Sequence, residues 1–321
     1  MGTTTHLSDR LLRSRSVPFR AKSRVYWRLR SGSWIARRPE SFTEKVQWKM
    51  LKDRRPLLTT FADKIAARDF VASIVGAEVL TQCYAVVANV GELKRELLPR
   101  EFVAKVSHGS GGVWIVADHA PPEARVVTER GSAVLHERSA PSGWNWIVSR
   151  PDEFDWEVFV SAFRMWLGWN YAERGFEWAY LDVRPRILVE ELLRGSNGEM
   201  PSDYKVFVFN GRARLIQVDQ DRFGDHRRNL YLPDWTPVDV EYTYRRAEVE
   251  AAPPSSLEGM LEIAEALGRE TDFVRVDLFD LDGRVVFGEL TNYPGAGTEA
   301  FVPARFDEEL GRWWTLPRTY R

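Results

Sequence analysis

The chain has 321 residues, of which 44% are hydrophobic and 28% charged, as in an ordinary water-soluble globular protein. At this length two domains are expected rather than one. The formal net charge of −1 argues against broad electrostatic binding to nucleic acid. The single cysteine, Cys83, excludes an internal disulfide and a multi-thiolate metal site, and the five histidines lack the spacing of zinc ligands.

The first 38 residues are strongly basic, with nine arginines and one lysine against one acid, Asp9. They contain no apolar segment of the kind found in secretory signals, and the chain has no run of about 18 apolar residues that would span a membrane. A cytoplasmic location is therefore expected. Two interpretations of the basic segment stay open: a solvated, partly disordered tail, or an arm that touches an anionic membrane surface or an acidic polymer.

Two helices are predicted after the basic segment. Ser41 and Glu44 have the spacing of a capping box, which predicts a helix that runs to about Lys52. Apolar residues that recur every four positions indicate a second helix, which ends at Gly76. These apolar residues are Ala62, Ala66, Phe70 and Ile74.

A glycine-rich loop at 108–112 lies between two predicted β segments, 102–106 and 113–117. Before them, residues 79–87 are typical of a strand and 91–97 of a short helix. The loop fits either the turn of a β-hairpin or a loop whose backbone N–H groups hold a phosphate. It lacks the Lys-Ser/Thr pair of a P-loop and opens no obvious helix, so neither standard phosphate-binding fingerprint applies.

One lysine lies inside the β segment that precedes this loop. Lys105 follows Phe102, Val103 and Ala104, a sequence typical of a buried strand. Burying an ammonium group without a partner costs several kcal/mol, so Lys105 needs a counter-charge. A nucleotide phosphate and a neighbouring carboxylate both meet that need.

The middle of the chain divides into three parts. Residues 118–141 give mixed signals, and the tryptophan-rich stretch 144–180 is mostly helical in pattern, which favours a covering subdomain. Residues 186–193 are typical of a buried strand that runs into Glu190 and Glu191. These carboxylates either contact an adenine or are ordinary solvated groups at the end of a strand.

Two further strands, 203–209 and 213–219, are joined by an Asn-Gly pair, which is a strong hairpin signal. Asp203 and Lys205 place opposite charges on one face of the first strand, because side chains alternate along a strand. This arrangement fits a plain ion pair as well as a functional pair.

Residues 221–254 are loop-like and carry a cluster of basic side chains, and a helix is predicted over 256–267. Arginine binds carboxylates in a bidentate way, so the cluster fits an acidic substrate. A solvated loop is the alternative. The basic residues are Arg222, His226, Arg227 and Arg228.

The most informative stretch is a hairpin predicted over 273–279 and 284–290, with an Asp-Gly turn. If the turn has three residues, Arg275 stands opposite Glu289, and Asp277 lies on the diagonal, within reach of a cation shared with Glu289. Two such carboxylates suit Mg²⁺ together with phosphate oxygens. A two-residue turn would instead send the two acids to opposite faces. A solvated charged face is the alternative interpretation.

The mixture of helices and antiparallel hairpins favours an α/β (α+β) fold rather than a repeated βαβ array. The order of six separated blocks resembles the ATP-grasp superfamily, and within it the TupA-like branch. The resemblance begins at about residue 41. The blocks lie at 43–55, 62–71, 102–116, 185–193, 203–231 and 273–297.

The resemblance implies an ATP-grasp fold, in which two α+β lobes grip ATP between antiparallel sheets. It divides the chain into a basic extension, a small pre-ATP-grasp region, a lobe with the glycine loop and the tryptophan-rich insert, and a lobe with the Mg²⁺ and phosphate site. The bounds of these four parts are 1–40, 41–98, 99–190 and 191–321.

By position, the resemblance also implies a set of ATP contacts. Lys105 corresponds to the lysine that contacts adenine and the α-phosphate, and the loop at 107–112 to the one that closes over the β- and γ-phosphates. The segment 190–192 corresponds to the part that reads the adenine edge, and Asp203 to an acid that contacts the ribose. The loop residues are Ser107, His108, Gly109, Ser110, Gly111 and Gly112, and the adenine-reading residues are Glu190, Glu191 and Leu192.

The same carry-over implies the chemistry of the second lobe. Lys205 corresponds to the basic residue at the terminal phosphate, and Arg275 to the arginine that stabilises the transferring phosphoryl group. Asp277 and Glu289 correspond to the two Mg²⁺-binding acids.

One position departs from the pattern of the superfamily. Many ATP-grasp enzymes carry Asn two residues after the second acid, where this chain has Thr291 followed by Asn292. In strict register Thr291 takes the ligand position, whereas a local bulge would bring Asn292 there.

The resemblance implies an ATP-dependent carboxylate–amine ligase that works through an acyl-phosphate. It implies ATP and Mg²⁺ as cofactors, an acidic carboxylate substrate, an amine acceptor, and a role in cell-envelope polysaccharide or teichuronopeptide-type synthesis. Two alternatives stay open: a kinase that phosphorylates a hydroxyl group, and a nucleotide-binding protein without turnover.

Overall fold

The computed structural model describes most of the chain, and its elements form two mainly antiparallel sheets with helices packed around them. Within the described ranges, no helix is long and apolar enough to cross a membrane. The described residues are 12, 14, 16–32, 34–128, 131–135, 145–196, 198, 200–220 and 226–320.

Part of the basic N-terminal segment is helical. Its helix, α1 (Phe19–Ser31), buries Trp27 in the same apolar core as Phe42 and Leu310. The expectation of a partly disordered tail therefore does not describe this stretch, because an indole that is 1% exposed fixes the helix on the protein. Residues 1–11 lie outside the described residues.

The helix predicted from the capping box is α2 (Phe42–Lys52). The hydroxyl oxygen of Ser41 accepts a hydrogen bond from the Glu44 N–H, and the Glu44 carboxylate accepts one from the Ser41 N–H. These bonds satisfy backbone donors that the first turn of a helix leaves without partners. The capping-box prediction is confirmed.

The second predicted helix consists of two helices, α3 (Pro56–Ala62) and α4 (Lys64–Val75). They meet at Asp63, whose carboxylate accepts a hydrogen bond from the Ile65 N–H at 3.0 Å and so caps α4. The predicted end at Gly76 is confirmed, since the backbone there has a φ of 93°, which glycine adopts readily.

The apolar residues that indicated this second helix do not form its buried face. Ala67 and Val71 are the buried residues of α4, whereas Phe70 is half-buried and Ile74 is 43% exposed. The prediction counted every fourth residue from Ala62, which lies in α3. The break between the two helices changes which face points inward.

The first sheet has seven strands within the described residues, in the order β1-β7-β2-β3-β6-β4-β5. Strands β3 and β6 run parallel, and the other neighbours run antiparallel. The strands are β1 (Cys83–Val87), β2 (Phe102–Val106), β3 (Val113–Val116), β4 (Arg125–Thr128), β5 (Gly131–Val134), β6 (Trp146–Ser149) and β7 (Ile187–Glu190).

The tryptophan-rich stretch predicted as a helical cover is helical in part. Its β6 strand joins the first sheet, and α5 (Trp156–Leu167) packs Phe159, Phe163 and Trp166 against one face of that sheet. All three side chains are 0% exposed, so α5 covers the sheet as expected. A short helix, α6 (Ala172–Gly175), follows.

The second sheet has six antiparallel strands within the described residues, in the order β11-β10-β9-β8-β13-β14. Both predicted hairpins are present, and the α+β class with antiparallel sheets is confirmed. The prediction of a loop over 221–254 is wrong where β10 lies. The strands are β8 (Asp203–Phe209), β9 (Arg212–Gln220), β10 (Arg227–Tyr231), β11 (Pro237–Val238), β13 (Phe273–Leu281) and β14 (Arg284–Thr291), with β12 (Glu241–Tyr242) and β15 (Phe301–Val302) paired beside them.

The two faces of the second sheet differ in chemistry. One face is apolar and is covered by α4 and by α7 (Leu257–Gly268). On the other face, Phe207, Leu215 and Phe273 pack in a core with α2 and α8 (Arg305–Trp313). Past this aromatic half the same face carries charged side chains, so the sheet positions a polar site directly beside its core.

A buried charge network joins α2 to the start of β13. The ammonium of Lys49, 0% exposed, contacts Asp53 at 3.3 Å and also binds Asp272. Arg55 contacts Asp53 at 2.6 Å, and the indole N–H of Trp314 donates to Asp272 at 2.9 Å. Each buried charge thus has an opposite partner, which is the condition for burying it at tolerable cost.

Asp277 and Glu289 share a face of the sheet although the turn between β13 and β14 has two residues, because a bulge shifts the register of the strands. Leu281 pairs with Arg284, so the turn has two residues. Gly288 is an extra residue in β14, and this bulge places Asp277 opposite Glu289. A side chain at Gly288 would have its Cβ 3.0 Å from the Asp277 carbonyl oxygen, which favours glycine at the bulge.

Candidate active site

Charged side chains form a row across the second sheet. Lys205 on β8 lies opposite Asp277 on β13, and Asp277 lies opposite Glu289 on β14. Directly opposed residues of neighbouring strands project to the same face. The row therefore lies on the same face of the second sheet as the aromatic core of Phe207 and Phe273.

Asp277 is buried between two cations. Arg275 donates its Nε to Oδ1 and its Nη2 to Oδ2, both at 2.7 Å. Lys205 donates its Nζ to Oδ2 at 2.9 Å and also pairs with Asp203. The Asp277 side chain is 3% exposed. Bidentate pairing with arginine fixes the geometry of both groups. Burial raises the pKa of Asp277, and the charges of Arg275 and Lys205 oppose this effect.

Glu289 is the more open of the two acids, with a side chain that is 40% exposed. Its Oε1 lies 3.6 Å from Nη2 of Arg275, and its Oε2 lies 3.3 Å from Nζ of Lys64. Burial works against its ionisation, but four cations hold the pKa of Glu289 well below its usual range. The cations are Lys64, Arg275, Lys205 and Lys105.

Of the two candidate ligands beyond the second acid, Thr291 and Asn292, Thr291 lies on the face of the acids. Thr291 is opposite Arg275, and its hydroxyl oxygen accepts a hydrogen bond from Nη2 of Arg275 at 3.1 Å. Asn292 is 4% exposed, and its amide donates to the Leu58 carbonyl in α3 at 2.8 Å. The strand has no bulge between Glu289 and Thr291, so Thr291 rather than Asn292 lies on the face of the acids. Asn292 instead holds α3 against β14.

The glycine loop joins β2 to β3 as a hairpin and is held at both ends. The Ser107 N–H donates to the Arg186 carbonyl at 2.8 Å, and the Gly112 N–H donates to the Asn145 carbonyl at 3.0 Å. Gly111 and Gly112 have φ values of 88° and 64°, a region that residues with a side chain rarely adopt. The closure of this loop over phosphates stays a prediction.

His108 anchors the loop to α5. Its Nε2 lies 3.2 Å from the carbonyl oxygen of Trp166 and 3.1 Å from that of Trp169, and the residue is 3% exposed. Burial lowers the pKa of the imidazole, although the two carbonyls oppose this effect. The side chain is thus engaged with α5, and a contact of His108 with ATP would have to come from its backbone.

Lys64 is a candidate site residue that the sequence did not reveal. Its Nζ donates to the Gly109 carbonyl at 2.9 Å and to Glu289 at 3.3 Å, so it joins the glycine loop to the second acid. A lysine at the first position of a helix opposes the helix dipole. An unfavourable lysine directly after the capping Asp63 is the local signal that could have identified Lys64.

Lys105 has a carboxylate as its counter-charge. Its Nζ pairs with Glu190 on the neighbouring strand β7. Glu190 also accepts a hydrogen bond from the Thr81 hydroxyl at 2.8 Å and one from Arg68 at 3.3 Å. Of the two partners that the sequence left open for Lys105, the neighbouring carboxylate is present. The predicted contacts of Lys105 and Glu190 with adenine stay predictions.

The other two predicted adenine-reading residues follow β7. Glu191 accepts a hydrogen bond from the Gln82 N–H at 2.8 Å, and its own N–H donates to the Gln82 carbonyl at 2.9 Å. Leu192 packs against a small apolar cluster that includes Val113 and Ile115. This segment is therefore fixed to the first sheet near the glycine loop.

The basic cluster predicted to bind substrate is not a single cluster. Arg228 is 6% exposed on β10, and its Nε lies 2.7 Å from Oδ1 of Asp219. Nε2 of His226 lies 3.1 Å from the same oxygen. Arg227, the next residue on the strand, projects to the opposite face. Arg222 lies outside the described residues. The cluster was expected on a loop, whereas Arg227 and Arg228 lie on β10. Substrate binding by these residues stays a prediction.

The carboxylates fit a Mg²⁺ ion that is shared with a phosphate. Asp277 and Glu289 are opposed, the first is paired with Arg275 and Lys205, and the second is partly exposed. In the part of the chain that is described, no group of three His, Cys, Asp or Glu side chains could hold a metal by itself. Mg²⁺ commonly takes one or two carboxylates and completes its shell with phosphate oxygens and water.

The family follows from a comparison with protein-family models. The model described as TupA-like ATPgrasp matches residues 44–314. The chain belongs to the TupA-like ATP-grasp family. The predicted resemblance and the predicted ATP-grasp fold are confirmed. Among curated proteins, none matches the TupA-like chain.

Several solved ATP-grasp structures are similar to the TupA-like chain at low sequence identity. A D-alanine–D-alanine ligase from Bacillus anthracis is 15% identical, with a TM-score of 0.40 over 74% of this chain and 60% of that one. A RiPP-associated ATP-grasp ligase from Chryseobacterium gregarium is 10% identical, with a TM-score of 0.38 over 84% and 64%. This chain thus spans less than two thirds of either protein.

Replacing Gly111 with proline should impair nucleotide use without unfolding the TupA-like protein. Proline fixes φ near −65°, whereas Gly111 has a φ of 88°, so the loop must change its path. We expect the KM for ATP to rise or kcat to fall by about tenfold, measured by ADP release. Gly32→Pro is a control, because Gly32 also has a positive φ (73°) but no neighbour within 4 Å. Equal kinetics of both variants would contradict a nucleotide role of the loop.

Proposed function

We propose that this TupA-like protein is an ATP-dependent ligase that joins a carboxylate to an amine through an acyl-phosphate. The observation that carries the proposal is the row of Lys205, Asp277 and Glu289 with Arg275 beside it. The Lys64 side chain bridges this row and the glycine loop, since it donates to both Glu289 and the Gly109 carbonyl. Acids, cations and a glycine loop at one place are what a triphosphate with its metal ion requires.

The side chains divide the work on the nucleotide. Asp277 and Glu289 would hold Mg²⁺, which when bound neutralises charge on the phosphates. Lys205 and Arg275 place positive charge where negative charge develops during phosphoryl transfer. Their positions are fixed in advance by the ion pairs with Asp277, so little reorganisation is needed when substrate binds.

The proposed reaction has two steps. An oxygen of the substrate carboxylate attacks the γ-phosphorus, the bond from that phosphorus to the bridging oxygen breaks, and ADP leaves. The amine nitrogen then attacks the acyl carbon, the carbon–oxygen bond to phosphate breaks, and the nitrogen loses a proton as inorganic phosphate departs. The protein contributes positioning, charge stabilisation and exclusion of water.

The substrate class rests on the resemblance more than on the site. We propose an acidic chain of the cell envelope as the carboxylate donor, as in teichuronopeptide-type synthesis. Arg228 is paired with Asp219 at 2.7 Å. His226 lies beside the ring of Tyr244, with centroids 3.8 Å apart, and is half-buried.

Labelling the carboxylate oxygens with ¹⁸O tests the proposal directly. A ligase that works through an acyl-phosphate transfers one ¹⁸O into inorganic phosphate and forms ADP and an amide, all measurable by mass spectrometry. A phosphorylated acceptor with ADP and no free phosphate would favour a kinase instead. Nucleotide binding without ADP release, over a broad panel of acids and amines, would favour a non-catalytic role.

We also propose that α1 contacts an anionic membrane surface. Arg20, Arg24 and Arg28 are exposed and recur every four residues, so they lie along one side of the helix. Trp34 is 59% exposed and Leu29 is 55% exposed in the same region. Arginine beside an exposed tryptophan is typical of segments that lie at a lipid interface.

Changing these three arginines to glutamine should weaken binding to vesicles of phosphatidylcholine with phosphatidylglycerol. Each basic residue near an anionic surface contributes about 1 kcal/mol, so the triple change should lower the affinity about a hundredfold in a sedimentation assay. A control triple changes the exposed Arg95, Arg284 and Arg312 to glutamine. An equal loss in the control, or binding to a soluble acidic polymer but not to vesicles, would overturn the membrane proposal.

A further inference from the structure

The backbone of Lys64 is fixed where three separate segments of the chain meet. Its N–H donates to the Ser107 carbonyl at 3.1 Å, and the Ser107 N–H donates to the Arg186 carbonyl at 2.8 Å. Arg186 in turn donates from Nη2 to the carboxylate of Asp63 at 2.8 Å. Asp63 caps α4, so these hydrogen bonds start at Lys64, run through Ser107 and Arg186, and return to the first turn of the same helix.

From this fixed backbone, the Lys64 side chain reaches two acceptors that belong to different sheets. Its ammonium donates to the Gly109 carbonyl at 2.9 Å, in the loop between two strands of the first sheet. It also donates to Oε2 of Glu289 at 3.3 Å, on the edge strand of the second sheet. The side chain is 11% exposed, so both contacts are largely shielded from solvent.

The local structure does not require a lysine at this position. A cation at the first position of a helix is unfavourable for the helix dipole, so Lys64 does not stabilise α4 through its charge. Glu289 is 40% exposed and also lies 3.6 Å from Arg275, so Lys64 is one of at least two cations that stabilise its carboxylate. What Lys64 provides is attraction between a loop carbonyl and a carboxylate, two electron-rich groups that repel without it.

We propose that Lys64 is a positioning residue that holds the glycine loop against Glu289 in the ligand-free protein. This inference rests on the proposed function, in which the loop and the acid are the two sides of the nucleotide site. Lys64 keeps these two sides at a set distance before ATP arrives. It therefore links the region before the first sheet to the geometry of both ATP-grasp lobes.

Hydrogen–deuterium exchange on the ligand-free protein tests the inference without any nucleotide. In Lys64→Met, the peptide that covers 107–112 should exchange about fivefold faster or more, because a hydrogen bond from a charged donor is lost. Lys64→Arg should restore slow exchange, since it keeps the charge and the donors. Lys94→Met is the control, because Lys94 is an exposed lysine in the segment between β1 and β2.

The double variant with Glu289→Ala separates coupling from independent effects. If Lys64 acts by bridging, Glu289→Ala also speeds exchange of 107–112, and adding Lys64→Met speeds it less than the product of the two single effects. If the increase in the exchange rate of 107–112 in the double variant equals the product of the two single increases, the proposal is overturned. Unchanged exchange of 107–112 in Lys64→Met would also overturn it, as would a rise confined to the peptide that covers α4, which would mean that Lys64 stabilises that helix.

In the proposed reaction, Lys64→Met should raise the KM for ATP about tenfold and change kcat less, with rescue by Lys64→Arg. The exchange result and this kinetic result can fail separately. Absence of ATP turnover in the wild type would remove the ligase proposal and leave the loop coupling intact. Normal turnover with unchanged loop exchange would remove the coupling and leave the ligase intact.

Discussion

Replacing Glu289 with glutamine should lower ATP-dependent turnover about a thousandfold while the protein stays folded. The side chain is 40% exposed and stands opposite Asp277, so the change removes a charge from the candidate metal site without leaving a cavity. A metal ion supplies several kcal/mol to phosphoryl transfer, and about 1.4 kcal/mol corresponds to tenfold in rate. The measurements are ADP release at saturating ATP and Mg²⁺, and the Tm by circular dichroism.

A matched control is available on α7. Glu262 is an exposed acid on that helix, and Glu262→Gln removes the same charge away from the site. Its turnover should equal that of the unmodified protein. The Mg²⁺ concentration for half-maximal rate should rise in Glu289→Gln and stay constant in the control. Turnover of Glu289→Gln within a factor of two of the unmodified protein would rule out Glu289 as a metal ligand.

Replacing Lys49 with methionine should lower the free energy of unfolding by about 3–5 kcal/mol. Lys49 is 0% exposed, and its removal leaves Asp53 and Asp272 with fewer opposite charges in a buried place. Removing one partner of a buried ion pair costs this much when the other charge is left without a partner. Arg55 still contacts both acids after the change, so the lower end of the range is expected. In thermal unfolding, the Tm should fall by roughly 5–10 °C.

Lys52 provides the comparison for Lys49 on the same helix. Its ammonium lies 4.9 Å from the ring centroid of Trp48, and the residue is exposed. Lys52→Met should change the Tm by about 1 °C or less, since exposed charge interactions contribute little. Similar Tm values for the two variants would show that burial of the Lys49 network does not control stability.

Features set by neighbouring residues could be predicted from the sequence. The capping box of Ser41 and Glu44, the end of α4 at Gly76 and the hairpin turns are decided within a few residues, so the chain itself carries the full signal. The order of the six sequence blocks along the chain also indicated the family and its fold. The helix break at Asp63 was missed, because a capping aspartate inside an apolar pattern gives little local warning.

The two acids were predicted to share a face, and they do, but the predicted register is wrong: Arg275 lies opposite Thr291 rather than Glu289, and Asp277 lies directly opposite Glu289. By strand alternation alone, Asp277 and Glu289 share a face only if the turn has three residues. The protein uses a two-residue turn and restores the register with a bulge at Gly288. A glycine in a strand signals a bulge weakly. Whether a glycine shifts the register depends on the neighbouring strand, which local sequence does not describe.

Partners that come from distant parts of the chain could not be predicted. Lys105 was expected to need a counter-charge, but the choice of Glu190 depends on the pairing of β2 with β7. The basic pair at 227–228 was taken as part of a loop, and its placement on β10 sends the two side chains to opposite faces. Tertiary placement decides both outcomes.

The hydrogen bonds around Asp63 and Lys64 also bear on how the protein folds. They join residues that are 45, 123 and 225 positions apart in the chain. Contacts of such long range form late, because the entropy of closing large loops must be overcome before they stabilise anything. A growing chain on the ribosome can complete the first sheet with its glycine loop well before Glu289 is made. The candidate active site would therefore be the last part of the protein to assemble, after the two sheets have packed together.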